Sequence, residues 1–213
     1  LKDLSRILGR KILWSASNGL RVDTLDELLM KKMKESGCYT ATLAIEHGDP
    51  AILEKMNKKL DMAKVEEVVK IAGKLKLNTQ VFYMVGYPGE TKESFRKSLR
   101  FAQHIREIGE IGKFWVYTTN PNAGSQLAQY CREHDYLANP ENSDIDTRIL
   151  DRDYGGIVTE DFDEEEVKRR RRYMERKLNS PWLTVALRYQ AIILKFMPYK
   201  IIRLLQRIQR RFV

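Results

Sequence analysis

Apolar residues gather along the chain in four short runs, at residues 11–17, 38–46, 78–85 and 113–119, and between the runs they recur at helical spacing. Short runs rich in β-branched and aromatic residues read as strands, and recurrence at i, i+3 and i+4 reads as helix. The first run, "KILWSAS", is expected to end in the turn "NGLRVD". The stretch "TLDELLMKKMKESG" then predicts a helix, with Thr24 and Glu27 spaced as a capping box and Leu25, Leu28, Leu29 and Met33 as its apolar stripe. After the second run, "CYTATLAIE", Asp49 and Pro50 suit the first positions of a short helix, because aspartate accepts from orphan amides and proline has no amide to satisfy. A helix over 63–76 leads to the third strand, "NTQVFYMV", and Thr91 starts a helix reaching about 108. The fourth run, "KFWVYTT", ends in "NPNAGSQLAQYC".

Strands alternating with helices predict an α/β chain with parallel strands, right-handed crossovers and helices covering the sheet. Four units do not close an eight-stranded barrel. "LKDLSRILGRK" precedes the first strand with no cap, so the sequence reads as starting partway through a larger α/β domain; the alternative is a natural boundary whose helix shields the sheet edge. Residues 132–160 lack clear periodicity and read as loops on or near the open face. "DFDEEEVKRRRRYMERKL" reads as a solvated helix, acids early and bases late as the helix dipole favours. Three segments are expected: 1–135 as an incomplete α/β core, 136–180 as a loop and charged helix closing it, and 181–213 as a basic amphipathic helical tail.

Composition narrows the partners. The 213 residues carry a net charge of +9 and are 43% hydrophobic. Seven of the bases and no acid lie in 181–213, so the remainder is close to balanced. No zinc-finger spacing or interleaved basic and aromatic motif points to base recognition, and no nucleic-acid partner is expected. The tail favours peripheral contact with a membrane surface or a lipid-like partner, or packing on another domain, and is too often interrupted by charge to span a bilayer. No secretory signal is seen, and the two cysteines, Cys38 and Cys131, are far apart in sequence. A cytoplasmic protein with buried, inert thiols is expected, with membrane association through the tail as the alternative.

In parallel α/β folds ligands gather at the carboxyl ends of the strands. Glu46 ends the second run and can accept from ligand hydroxyls or an amine; equally, it can cap a helix or pair with a base. His47 beside it reads as a general base or a turn residue. Lys58, twelve residues on, can reach back to a ligand carboxylate or lie on the surface. Arg21 can hold an anion or anchor its turn. Gly86, Tyr87, Pro88, Gly89 and Glu90 form a turn able to present backbone groups to a planar ligand while Glu90 pairs with a polar edge of it. It has neither the P-loop nor the GxGxxG pattern. Asn120 and Pro121 open a second such turn, and Tyr83, Tyr87 and Tyr117 are candidates for stacking or for core.

The ordered set "NGLRVDTLDELLMKKMKESGCYTATLAIEHGDPAILEKMNKKL", "VFYMVGYPGET" and "NPNAGSQL" resembles the core of radical S-adenosylmethionine (SAM) enzymes, over about residues 5–135. It looks most like the C-terminal part of that core, the later four β/α units of a partial TIM-type barrel, in the branch carrying a cobalamin-binding domain. The resemblance implies Glu46 at the SAM ribose, Lys58 at its carboxylate, Gly86 to Glu90 along methionine and adenine, and residues 120–125 around adenine. It also implies a [4Fe–4S] cluster held by Cys-x3-Cys-x2-Cys, which this chain lacks, along with the glycine-rich turn that meets the SAM amino group. No catalytic residue and no metal ligand is therefore assigned here. For the complete enzyme it implies a 5′-deoxyadenosyl radical, cobalamin-dependent methylation or a rearrangement, a small-molecule substrate, and ferredoxin or flavodoxin as reductant. The alternatives are a cluster-free SAM or nucleotide-binding module, or a non-catalytic scaffold or decayed chain.

Overall fold

The structure, a computed structural model, describes residues 2–10, 12–138 and 156–179. The expectations for residues 139–155 and for the basic tail 181–213 lie outside these. The chain divides into two units, Leu1–Leu178 and Asn179–Val213, and every element below lies in the first.

In chain order the elements are α1 (Lys2–Ile7), β1 (Trp14–Leu20), a 3-10 turn (Val22–Thr24), α2 (Glu27–Glu35), β2 (Cys38–Glu46), α3 (Pro50–Lys55), α4 (Met62–Lys74), β3 (Asn78–Val85), α5 (Lys92–Ile108), β4 (Ile111–Thr118), α6 (Gln126–Glu133) and α7 (Glu164–Leu178). The sheet has the order β1-β2-β3-β4, every pair parallel. Strand order thus follows chain order, as right-handed βα units produce. The expected α/β fold, four units of a partial barrel closed by a C-terminal helix, is the one observed.

Alternation along the strands sorts the two faces. Ala41, Leu43 and Ile45 of β2, Val81, Tyr83 and Val85 of β3, and Phe114 and Val116 of β4 are buried in one core with Met30 and Met33 of α2, Val65, Val68 and Val69 of α4, Ala102 and Ile105 of α5, and Val167, Met174 and Leu178 of α7. The opposite face carries Gln80, Phe82, Met84, Trp115 and Tyr117, all half-exposed. There Trp115 Nε1 donates to Gln80 Oε1 at 2.8 Å, and Phe82 meets Tyr117 edge to face at 5.7 Å.

Several boundaries differ from the sequence reading: β4 runs over Ile111–Thr118 in place of 113–119, α4 over Met62–Lys74 in place of 63–76, and the start of the chain differs most. β1 starts later and runs through Asn18 and Gly19 to Leu20, which pairs with Leu43 after a register shift. Gly19, at φ +79°, makes this possible: a Cβ there would sit 3.1 Å from Ala44 Cβ and 3.2 Å from the Phe82 ring. α2 is capped by Asp26, which accepts from the Leu29 amide at 2.7 Å, while the Thr24 hydroxyl turns back to the Arg21 carbonyl. Met30 and Met33 then face the core, and Leu28 and Leu29 are exposed. Asp26→Ala is expected to cost about 1 kcal/mol and Thr24→Ala distinctly less; urea denaturation with equal losses would show that Asp26 is not the cap.

α7 also differs from its reading as a solvated helix. Val167, Arg170, Arg171, Met174 and Leu178 form a buried stripe, and the helix packs on β4, β3 and α5. Two arginines sit within that stripe because each has a carboxylate: Arg171 Nη1 lies 2.8 Å from Glu175 Oε2, and Arg170 meets Glu90 and Glu166.

Candidate functional site

The parallel strands bring Arg21, Glu46, Gly86 and Asn120 to one edge of the sheet, each just at or past a strand end. Glu46 closes β2 at φ +70°, a left-handed conformation that a long side chain rarely adopts. The chain turns sharply there, with the His47 amide bonded to the Ile45 carbonyl at 2.9 Å. This aims Glu46 at Lys58, whose Nζ lies 2.9 Å from Oε1. Both side chains are about a quarter exposed, so the pair is open to a ligand on one side. Lys58 is held by its own turn: Asn57 is left-handed at φ +52°, and the Lys58 amide donates to the Leu53 carbonyl.

Arg21 anchors its turn. Its guanidinium chelates Asp23 through Nε at 3.1 Å and Nη2 at 2.6 Å. Arg21 holds the Asp23 carboxyl below its ordinary range, chiefly by that hydrogen bond, and Lys58 adds a smaller contribution. Lys58 thus lies within electrostatic reach of Asp23 and in contact with Glu46, giving the edge alternating charges.

The next strand end is the turn after β3. The Glu90 amide donates to the Tyr87 carbonyl at 2.9 Å, with Pro88 second and Gly89 third at φ +82°, the composition of a type II turn. The Tyr87 hydroxyl donates to the Lys55 carbonyl at 3.0 Å, and the Lys55 side chain lies against Gly89. The Glu90 side chain is wholly buried and points into the protein. Its Oε2 accepts from the Gly86 amide at 3.1 Å, and its Oε1 accepts from Arg170 Nη1 at 3.0 Å. His47, also wholly buried, accepts from the Asp49 amide at Nδ1; its Nε2 lies 3.3 Å from Glu90 Oε2 without the alignment of a hydrogen bond. His47 therefore sits within the scaffold of the edge.

Past β4, Thr119 ties its amide and hydroxyl to the Val85 carbonyl, at 2.8 and 3.0 Å, which fixes the fourth strand end against the third. Asn120 and Pro121 follow, half-exposed, and Ser125 caps α6 by accepting from the Ala128 amide at 3.1 Å. Of the aromatic candidates, Tyr83 is core, tilted on Phe114, and burial raises its hydroxyl far above its ordinary range. Tyr117 stays half-exposed on the open face, beside Phe82.

Fit to the implied cofactors divides. A carboxylate beside an ammonium, flanked by glycine turns, is complementary to the hydroxyls and zwitterionic end of an amino-acid nucleoside such as SAM. An iron–sulfur cluster needs three neighbouring thiolates, and the two cysteines do not supply them. Cys38 starts β2, at the opposite end from Glu46, and its thiol lies 3.3 Å from the Thr40 carbonyl; Cys131 is buried in α6. Burial pushes the Cys131 thiol up to about 11 and raises Cys38 as well. At pH 8 a thiol at 11 is thiolate in about one molecule per thousand, so iodoacetamide is expected to label the native chain far more slowly than the unfolded one. Equal rates would mean that these thiols are not buried as described.

Among the features that the sequence reading missed, Arg170 matters most. It was hidden in "KRRRR", yet Val167, Met174 and Leu178 flank it at i, i+7 and i+11, a stripe that marks positions 170 and 171 as facing inward.

With this geometry in view, comparison with known proteins gives what the chain is similar to. Residues 4–102 match the radical SAM superfamily. An uncharacterized methyltransferase of Pyrococcus horikoshii is 33% identical over 61% of this chain and 27% of its own length. Cytidylyl-2-hydroxyethylphosphonate methyltransferase of Streptomyces wedmorensis is 29% identical over 61% of the chain and 25% of its own. A probable threonylcarbamoyladenosine tRNA methylthiotransferase of P. horikoshii is 33% identical over half the chain and 24% of its own. The chain thus spans about a quarter of these relatives. Coproporphyrinogen III oxidase of Escherichia coli, described as a radical SAM enzyme, shares the fold with a TM-score of 0.50 at 14% identity, over 67% of this chain and 33% of that one. The match corrects the expectation of a C-terminal core remnant without its cluster loop. It starts in α1, takes in β1 to β3 and ends within α5, the N-terminal part of the chain; the turn at Asn120, on which that expectation leaned, falls outside it.

Proposed function

We propose, with the radical SAM superfamily match over residues 4–102 as premise, that this chain is a SAM-binding module whose ligand lies along the strand-end edge of the sheet. The observation that carries the reading is Glu46: a glutamate held left-handed at the end of its strand, just past a register shift against β3, and paired at 2.9 Å with a half-buried lysine. Backbone strain of this kind costs about 1–3 kcal/mol and persists where the surrounding structure imposes it, typically at ligand sites. In this reading Glu46 accepts from the ribose hydroxyls and Lys58 turns to the carboxylate. Backbone groups of the Gly86–Gly89 turn line the methionine and adenine side, and residues 120–125 close over adenine. Arg21 closes the first strand end through Asp23.

The ligand set present supports binding alone. Two separate buried cysteines do not hold a [4Fe–4S] cluster, so no radical step is assigned to these residues. In a longer protein supplying a cluster, the same edge would present SAM to it; a reductant such as ferredoxin or flavodoxin, and cobalamin as methyl carrier, belong to that protein. The names of the relatives, methyltransferases and a methylthiotransferase, suggest methyl or methylthio transfer as the reaction class of that longer protein.

Titration calorimetry with SAM tests the reading. Glu46→Gln is expected to weaken binding by about 10-fold or more, the loss of one charge-assisted contact. Lys58→Met is expected to do the same, and to discriminate less between SAM and 5′-methylthioadenosine, which lacks the carboxylate. No heat or thermal shift with SAM on the intact chain would overturn the binding reading and leave a scaffold.

A further inference from the structure

The Arg170 guanidinium touches four separate pieces of chain. Its Nη1 donates to the Glu90 carbonyl at 3.2 Å and to Glu90 Oε1 at 3.0 Å; Nε reaches Glu166 Oε1 at 3.1 Å, and Nη2 reaches the Asp161 carbonyl at 3.4 Å. Its carbon centre lies 5.7 Å from the Phe95 ring of α5 and 5.6 Å from the Phe162 ring. The side chain is only 3% exposed. The Glu90 that it grips spends its other oxygen on the Gly86 amide. Val167, one turn earlier on α7, presses on Gly86 itself, where a Cβ would come within 2.9 Å of both its methyls. The turn after β3 is thus held at its first residue, its last backbone carbonyl and its last side chain from a helix 80 residues on.

We infer that Arg170 is a positioning residue for the strand-end site: through Glu90 it fixes the backbone of Gly86 to Gly89 in the orientation that meets ligand. For the identity of that ligand the inference rests on the SAM reading. The planar guanidinium suits the task because it serves several acceptors in fixed directions, where a lysine ammonium would satisfy Glu90 Oε1 and leave the rest. Since both partners are buried, the link is not diluted by solvent.

The test compares Arg170→Gln and Arg170→Lys with Met174→Ala in the intact chain. Met174 is buried on the same helix face and touches no part of the turn's hydrogen bonding, so it reports the effect of loosening α7 alone. Amide exchange of Gly86 is read by NMR, and SAM affinity by calorimetry, at a temperature where circular dichroism shows each variant folded. Arg170→Gln is expected to speed Gly86 exchange and weaken SAM by about 10-fold or more relative to Met174→Ala, with Arg170→Lys in between. Should Arg170→Gln fail to fold, Arg170→Lys carries the comparison. Equal Gly86 exchange in the arginine and methionine variants would overturn the inference, as would unchanged SAM affinity in a folded arginine variant of a chain that binds SAM. Faster Gly86 exchange specific to the arginine variants in a chain that binds no SAM would support the positioning role while sinking the SAM reading.

Discussion

Gly86→Ala is expected to destabilise the chain by about 3 kcal/mol and to lower its melting temperature by about 6–12 °C. Two separate costs combine. Gly86 sits at φ +78°, and placing an L side chain in the left-handed region costs about 1–2 kcal/mol. The added methyl also meets Val167, with Cγ1 at 2.8 Å and Cγ2 at 2.9 Å, closer than carbon atoms approach without movement. Overpacking in a filled core costs about 1–3 kcal/mol. The two parts separate in a double variant: adding Val167→Ala opens the space and returns the packing part, while the dihedral part stays. A melting temperature within about 1 °C of the wild type would show that the turn does not press on α7.

The second large effect belongs to the Glu90–Arg170 pair. Arg170→Met leaves the Glu90 carboxylate buried with the Gly86 amide as its remaining hydrogen-bond donor, and is expected to cost about 3–5 kcal/mol, the range for stranding one partner of a buried pair. Glu90→Gln strands less charge, because Glu166 still neutralises Arg170 at 3.1 Å. The double variant leaves no unpaired charge, so its loss is expected to fall short of the sum by about 1–3 kcal/mol. Urea unfolding of the four proteins measures the coupling, and additivity within about 0.5 kcal/mol would mean that the two side chains do not act as a pair.

Much of the scaffold was written locally. β2 and β3 could be bounded to the residue because each apolar run ends in residues with their own turn chemistry: Asp49 and Pro50 after one, Gly86 and Pro88 after the other. Thr91 was found as the cap of α5, and it accepts from the Ser94 amide at 3.1 Å. At the start of α2, local reading named the wrong cap. Thr24 and Asp26 both lie before α2, and the 3-10 turn at Val22, which buries that valine, takes Thr24 for itself and leaves the cap to Asp26. The end of β1 was missed for a non-local reason. Asn18 and Gly19 look like a turn, but the neighbouring Ala44 and Phe82 make room only for a glycine and keep it in the sheet.

The site was legible in part. Glu46 and Lys58 were singled out separately, and only the left-handed turn at Glu46 shows that they meet. Glu90 read as pairing with the polar edge of a ligand because its actual partner lay 80 residues away in an arginine run. The sequence held a clue to that arginine in the spacing of Val167, Met174 and Leu178, but nothing that named Glu90 as its counterpart.

Because strand order equals chain order, each strand can add to the preceding one as soon as it leaves the ribosome, and none has to be threaded between two already in place. α7 breaks this rhythm: it must wait for about 80 residues of chain before Arg170 can find Glu90. Contacts that close long loops late in folding weigh on the unfolding rate more than on the folding rate. Stopped-flow chevrons of Arg170→Lys are therefore expected to show faster unfolding with folding nearly unchanged. The site would then be the last part of the unit to set and the first to come undone, so ligand bound along that edge would lengthen the lifetime of the folded chain.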